Sequence, residues 1–295
     1  MNIKKLFNSF LVITIALLLT GCELSVLQPK GMIAIKEINI MIISAALMLV
    51  VVIPVILMTI IFSWRYRETN LSARYSPDWS HNVILEIIWW SIPCCIIAIL
   101  ATITWISSHE LDPFKPLASS QQQHSLRIQV IALEWKWLFI YPEQNIATVN
   151  YVQLPAGVPV NFEITSEGPM NSFIIPQLAG QIYAMAGMQS KLHLIANEVG
   201  DYPGFSSNFS GKGFADMKFN THVSTNDEFD QWVGQIKQVN HHLSKAEYDL
   251  LAIPSENFPV TYYSSANLYL FKIATMKSMM PEKEVEALCK QQSWV

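Results

Sequence analysis

The side chains able to do chemistry are few and widely scattered. There are four cysteines, Cys22, Cys94, Cys95 and Cys289, and seven histidines, His81, His109, His124, His193, His222, His241 and His242. None of the histidines has the spacing of a metal site, and Cys94–Cys95, being neighbours in an apolar run, read as small apolar fillers. No nucleophile elbow, phosphate loop or dinucleotide fingerprint is present, and Gly occurs only 11 times. Cys22 is better placed. Lys4 and Lys5 precede the run Phe10 to Leu19, which closes on Leu19-Thr20-Gly21-Cys22, the pattern of an export leader ending at a thiol. A second group stands at a boundary: Glu86 opens an apolar stretch, where a carboxylate favours a helix start and where an ionisable group at a membrane edge can admit protons.

The elements that position these residues divide the chain in two. Of the 42 charged residues in the 295, residues 1–125 hold 15 and residues 126–295 hold 27. Ile38 to Phe62 is 25 residues without a charge and Ile87 to Ile106 is 20. As helices they would be about 37 and 30 Å long, enough to cross the hydrocarbon of a bilayer. Each carries one proline, Pro54 and Pro93, tolerated where neighbouring helices re-satisfy the freed carbonyl. Arg65, Arg67 and Arg74 favour the connecting loop on the inner side. Lys and Arg total 19 against 23 acids with no basic cluster, which argues against nucleic acid as a partner.

From residue 124 the period becomes two, as in Leu126, Ile128, Val130 and in Val158, Val160, Phe162, Ile164. These read as half-buried strands. Further strands are expected at Trp135–Tyr141, Thr148–Val152, Ser172–Ile175, Lys191–Ile195 and Met217–Val223, separated by turn signals such as Pro155-Ala-Gly157. About seven strands at that spacing argue for a Greek-key sandwich. After Val223 the pattern turns helical. Thr225-x-x-Glu228 and Ser244-x-x-Glu247 fit capping boxes, and the extension is expected to be helical. The expected organisation is a leader over 1–21, an outer segment over 22–37, a first span over 38–62, an inner loop over 63–86, a second span over 87–106, a sandwich over 124–224 and a helical extension over 225–295.

The start of the chain resembles the bacterial lipoprotein signal, which implies cleavage before Cys22 and acylation of that residue. Two spans followed by an outer sandwich resemble subunit II of the haem–copper respiratory oxidases, whose outer domain is a cupredoxin fold. The resemblance is specific in Asp201-Tyr-Pro-Gly-Phe-Ser-Ser-Asn-Phe-Ser-Gly-Lys-Gly-Phe-Ala-Asp-Met217. Copper-binding members read Cys-x-Glu-x-Cys-x-x-x-His-x-x-Met there, with a further His upstream, so that thiolates bridge two coppers. Here Ser206 and Ser210 take the bridging positions, Asn208 the Glu position, Phe214 the loop His position and Asn171 the upstream His position. Met217 alone is retained. A serine hydroxyl stays protonated near neutral pH and Phe214 has no donor atom, so the resemblance implies a cupredoxin-like domain without its dicopper centre.

Loss of the ligands within a kept framework resembles the quinol-oxidising branch, subunit II of the cytochrome bo type. Tyr75–His81, Glu134–Trp137, Ile140–Gln144, Gln181–Gln189 and Leu192–Asn197 support it. That resemblance implies a subunit of a proton-pumping ubiquinol oxidase, reducing O₂ to water, in a bacterial inner membrane with the sandwich in the periplasm. It places the haems and remaining copper in subunit I, which with the other subunits and membrane lipid would be the partners. Ubiquinol, dissolved in the membrane, needs no outer copper relay. Trp135 aligns with the tryptophan below the copper of the relatives and reads here as an interface anchor. Glu86 matches the acid at the inner mouth of a proton channel. Two other readings compete: a membrane-tethered lipoprotein with a cupredoxin-like binding or assembly domain, and a copper-dependent cytochrome c oxidase subunit.

Overall fold

Uncharged sequence of the length found at either side of residue 70 folds as helix because helix alone satisfies every backbone group without water. In the computed structural model, which describes residues 25–74, 81–117, 125–280 and 284, α1 runs over Met32–Arg65 and α2 over Val83–Glu110. Cys22, His124 and Cys289 lie outside the described residues. Both helices extend beyond their uncharged stretches and take in Lys36, Glu37, Glu86 and Glu110. Several of their hydroxyls bond back to the preceding turn, Thr59 to the Val55 carbonyl at 2.7 Å and Thr102 to the Ala98 carbonyl at 2.9 Å, which pairs those groups without water. An ion pair of Lys36 with Glu110 joins the start of α1 to the end of α2.

Alternating sequence then builds two sheets. The strands are β1 (Leu126–Leu133), β2 (Lys136–Tyr141), β3 (Ile146–Val149), β4 (Tyr151–Pro155), β5 (Pro159–Ser166), β6 (Asn171–Ile175), β7 (Ala179–Ala184), β8 (Ser190–Ile195), β9 (Gly200–Ser206) and β10 (Lys218–Ser224). After them come α3 (Asn226–Ile236), β11 (His242–Leu243), α4 (Lys245–Leu251), β12 (Thr261–Tyr263), β13 (Ser265–Ala266) and α5 (Leu270–Met276). One sheet has the order β12-β3-β2-β1-β5-β8 and the other β4-β10-β9-β6-β7. β1 pairs with β5 in parallel, Leu126 opposite Val160, and β4 with β10 in parallel, while every other pair in these two sheets is antiparallel. Aromatic rings fill the space between the sheets. Phe173 stacks on Phe219 at 5.1 Å, and Trp137 meets Phe173 edge-on at 5.3 Å.

The expected strands are present with informative differences. Thr148–Val152 is two strands, not one. Asn150 turns the chain at φ 56, and its side chain accepts from the Trp137 N–H at 2.9 Å and donates to the Phe258 carbonyl at 2.8 Å. The chain thereby leaves one sheet for the other. β7 and β9 were not expected, because glycine and proline weaken their strand signal. β2 is buried along its whole length, since its second face is covered too.

That cover is the segment after residue 236, where the expected helices are present and short strands are added to them. α3 and α4 are helical, with Thr225 and Glu228 forming a complete capping box and Ser244 accepting from the Glu247 N–H. Thr261–Tyr263, however, pairs with β3 and becomes the edge of the first sheet. Tyr248, Leu251, Tyr263, Leu270 and Phe271 then pack on the outer face made by Ile131, Leu133, Leu138 and Ile140. An extended edge strand leaves no period of 3.6 to read in so short a span.

The sandwich is tied to the base of α1 by main chain. The N–H groups of Lys30 and Gly31 donate to the Gln177 carbonyl at 2.7 and 2.9 Å, and that of Asn197 donates to the Lys30 carbonyl at 2.9 Å. Gly31 is required: a Cβ there would lie 2.1 Å from the Leu178 oxygen.

Candidate functional site

The loop joining β9 to β10 holds the positions at which the sequence looks like a metal site that has lost its ligands. β6, β9 and β10 are neighbours in one sheet, so Asn171, at the start of β6, is brought beside Ser206, at the end of β9. Both are buried. The Ser206 hydroxyl donates to Asn171 Oδ1 at 3.1 Å and lies 3.3 Å from the Asn208 carbonyl, and it accepts from the Ser172 N–H at 3.4 Å. Asn171 Nδ2 donates to the Pro169 carbonyl at 3.0 Å, and Asn208 Nδ2 to the Met170 carbonyl at 2.9 Å. Below them the Ser206 N–H donates to the carbonyl of the fully buried Met217 at 3.1 Å. Phe214 packs edge-on against Phe209 at 5.5 Å. The five positions and Met217 thus lie within one compact loop framework.

This donor set does not fit a thiolate-bridged dicopper centre. It offers hydroxyls, carboxamides and one thioether, with hydrocarbon at Phe214. Asn171, Ser206 and Asn208 are instead used on one another and on main chain, so hydrogen bonds hold the loop in shape. Among the described residues no group of three or more His, Cys, Asp and Glu is arranged to hold a metal.

Trp135 closes the loop from the side. It sits between β1 and β2 at φ 63, the left-handed region that a bulky residue rarely adopts. Its Nε1–H donates to the Ser210 carbonyl at 3.0 Å, and the ring packs against Gly211 and Gly213. A Cβ on Gly213 would stand 2.4 Å from Trp135 Cδ2. Gly213→Val is therefore expected to lift the loop from the indole at a cost of about 1–3 kcal/mol. A lowered thermal midpoint with altered tryptophan fluorescence would agree; an unchanged midpoint would show that the loop does not depend on this contact.

Glu86 is far from this loop in sequence and lies in the first turn of α2. Asn82 caps that helix, accepting from the N–H groups of Ile84 and Leu85 at 3.0 and 3.2 Å, and His81 Nδ1 lies 3.6 Å from the Glu86 carboxylate. The histidines of β8 and β10 have partners. His222 Nδ1 lies 2.8 Å from Asp201, and the half-buried His193 has Nδ1 2.8 Å from the Pro113 carbonyl.

The His222 contact holds the Asp201 carboxyl below its ordinary value of 3.8, helped by a hydrogen bond from Asn220 and opposed by burial. A depressed carboxylate stabilises the fold above its unfolded pKa, and that contribution fades as pH falls through the lower folded value. In His222→Ala the midpoint of Asp201, followed by NMR, is expected to rise; no movement would remove His222 as the cause.

Two buried charges escaped the sequence reading. Lys136 is 1% exposed and donates to the carbonyls of Leu251 and Ile253, both at 2.8 Å. Glu167, little exposed, receives Tyr248 and Lys277. Both tie the extension to the first sheet. No local pattern announces them, because each partner is more than 80 residues distant.

Two apolar helices carrying a two-sheet sandwich, with a β9–β10 loop built from hydroxyls and amides, define the class: a cupredoxin-like sandwich on two helices long and apolar enough to cross a membrane. The COX Aromatic Rich Motif family matches residues 237–282, the segment that covers the first sheet. Cytochrome bo(3) ubiquinol oxidase subunit 2 of Pseudomonas putida is 52% identical over 261 residues, covering 88% of this chain and 82% of the relative. Ubiquinol oxidase subunit 2 of Acetobacter aceti is 49% identical over 262 residues, covering 89% and 85%. Among solved structures, the periplasmic domain of subunit II of cytochrome oxidase of Bradyrhizobium japonicum matches with a TM-score of 0.38 at 20% identity, over 41% of this chain and 96% of that one. The chain belongs to the ubiquinol oxidase subunit 2 family.

Proposed function

We propose that the chain is the metal-free second subunit of a proton-moving ubiquinol oxidase complex, which oxidises ubiquinol and reduces O₂ to water in the respiratory chain. The observation that carries this reading is the β9–β10 loop: Asn171, Ser206 and Asn208, at three of the five positions where the resemblance puts copper ligands, hydrogen-bond to one another and to main chain. Subunit I carries the haems and copper, and this chain contributes no redox centre of its own. α1 and α2 dock that subunit in the bacterial inner membrane, and the sandwich caps its periplasmic face. Cys22 carries acyl chains, each buried CH₂ adding about 0.8 kcal/mol of membrane affinity. Glu86, at the inner end of α2, admits protons.

Identity to proteins named ubiquinol oxidase subunit 2 over nearly nine-tenths of the chain supports this reading over a tethered lipoprotein. So does a mount of two complete apolar helices, which a single acyl tether would not need. Under mild detergent the chain is expected to copurify with a haem-bearing large subunit, in a preparation that consumes oxygen with ubiquinol. A chain running alone, or oxygen consumption sustained by a soluble cytochrome instead, would contradict it.

A further inference from the structure

A small cavity lies where the two apolar helices meet the sandwich. Its volume is about 130 Å³, and its walls come from the first turns of α1, the segment after α2, and β7 with β8. It stands at the ends of both helices, the depth at which hydrocarbon gives way to head groups. Trp105, 70% exposed in the last turns of α2, and the exposed Phe114 just beyond mark the same level, as interfacial aromatic side chains do.

The cavity carries charge that the chain leaves uncompensated. Glu37 is half-buried on its wall. The neighbouring Lys36 is committed to Glu110, and among the described residues Glu37 has no ion pair or hydrogen bond. Its carboxylate rests over Gly180, where a Cβ would stand 2.4 Å from Oε1, so glycine leaves the space it occupies. Asp112, the other acid, accepts from the Phe114 N–H at 2.9 Å. His193 directs Nδ1 at the Pro113 carbonyl, which fixes the hydrogen there and leaves Nε2 of the neutral ring as an acceptor. The exposed Lys115 supplies a cation to the lining, and Leu111 and Leu117 are apolar parts of it.

From this arrangement we infer that the cavity is a binding site for the head group of a zwitterionic phospholipid with a primary ammonium, phosphatidylethanolamine by class. The ammonium donates to Glu37, the phosphate faces Lys115, and the acyl chains follow the apolar surfaces of α1 and α2. A half-buried carboxylate without a partner is costly, and the ammonium of a zwitterion neutralises it while the phosphate meets the exposed Lys115 at the rim. An anionic lipid would meet Glu37 and Asp112. A neutral quinol ring would leave Glu37 uncompensated. The inference rests on the reading of α1 and α2 as membrane spans, not on the oxidase assignment.

The test extracts the full chain, with whatever subunits accompany it, in mild detergent and counts retained phospholipid per chain by native mass spectrometry. Wild type is expected to keep a phosphatidylethanolamine through a wash that strips other lipid. Glu37→Gln and Gly180→Ala are expected to weaken that retention about tenfold, the loss that goes with one charged hydrogen bond, with circular dichroism unchanged. Rebinding to stripped protein should favour phosphatidylethanolamine over phosphatidylcholine, and both over phosphatidylglycerol. Equal retention in Glu37→Gln, equal rebinding of phosphatidylglycerol, or displacement of the lipid by a short-chain ubiquinol would each overturn the inference. A chain that lacks a haem-bearing partner still reports on the cavity, so the two proposals fail separately.

Discussion

Lys136→Ala is expected to destabilise the sandwich by about 4 kcal/mol and to release the segment over 237–282 from the first sheet. The ammonium is buried and holds the carbonyls of Leu251 and Ile253 at the end of α4, with the Phe258 ring 4.9 Å away. Its removal strands the buried Leu251 acceptor, at about 1–3 kcal/mol, loses the part-buried bond to Ile253, and leaves a void where the side-chain stem packed. A cation at a helix C-terminus is also favoured by the helix dipole. Lys136→Met keeps the stem and should lose about half as much. Denaturant unfolding together with amide exchange over residues 237–282 checks both expectations. An alanine variant within about 0.5 kcal/mol of wild type, the range of an ordinary surface change, would show that the clamp is not needed.

Glu86→Gln is expected to slow oxygen consumption about tenfold while assembly is unaffected, if the proposed proton entrance is correct; an added barrier of about 1.4 kcal/mol suffices for that loss. The substitution keeps side-chain volume but cannot ionise. Helix α2 does not depend on the carboxylate for its start, because Asn82 already caps it. Copurification of the partner subunits therefore serves as the control. Undiminished turnover with ubiquinol would take Glu86 off the proton path. Lost assembly together with lost activity would instead make the residue structural.

How much of this was legible in the chain depends on the range over which each feature is encoded. The apolar lengths of α1 and α2 are local and show directly. So does the β9–β10 loop, whose serines, Asn208, Phe214 and Met217 lie within twelve residues in sequence. What it could not show was the bonding. Ser206 to Asn171 spans 35 positions, and only the adjacency of β6 and β9 brings them together. Asn150 hid a change of sheet inside an apparently continuous strand, because one residue at positive φ leaves the alternation on either side intact. The burial of both faces of β2 was hidden too, because its second face is covered by residues more than a hundred positions further on. The Glu37 cavity was invisible for the same reason, being assembled from α1, the segment after α2 and two strands.

Trp135 and Lys136 show how the two kinds of information meet. They are adjacent at the β1–β2 turn, yet the indole seats the β9–β10 loop while the ammonium seats the extension. The left-handed backbone at Trp135 turns the two side chains onto different tasks, and the turn thereby links the loop to the aromatic-rich segment.

Copper titration of the purified full-length chain, followed by electron paramagnetic resonance and near-infrared absorption, tests the central claim most directly. With hydroxyl, amide and phenyl groups at Ser206, Ser210, Asn208, Asn171 and Phe214, copper is expected to wash out and to give no mixed-valence signal. Two tightly held copper ions sharing one unpaired electron would contradict the account.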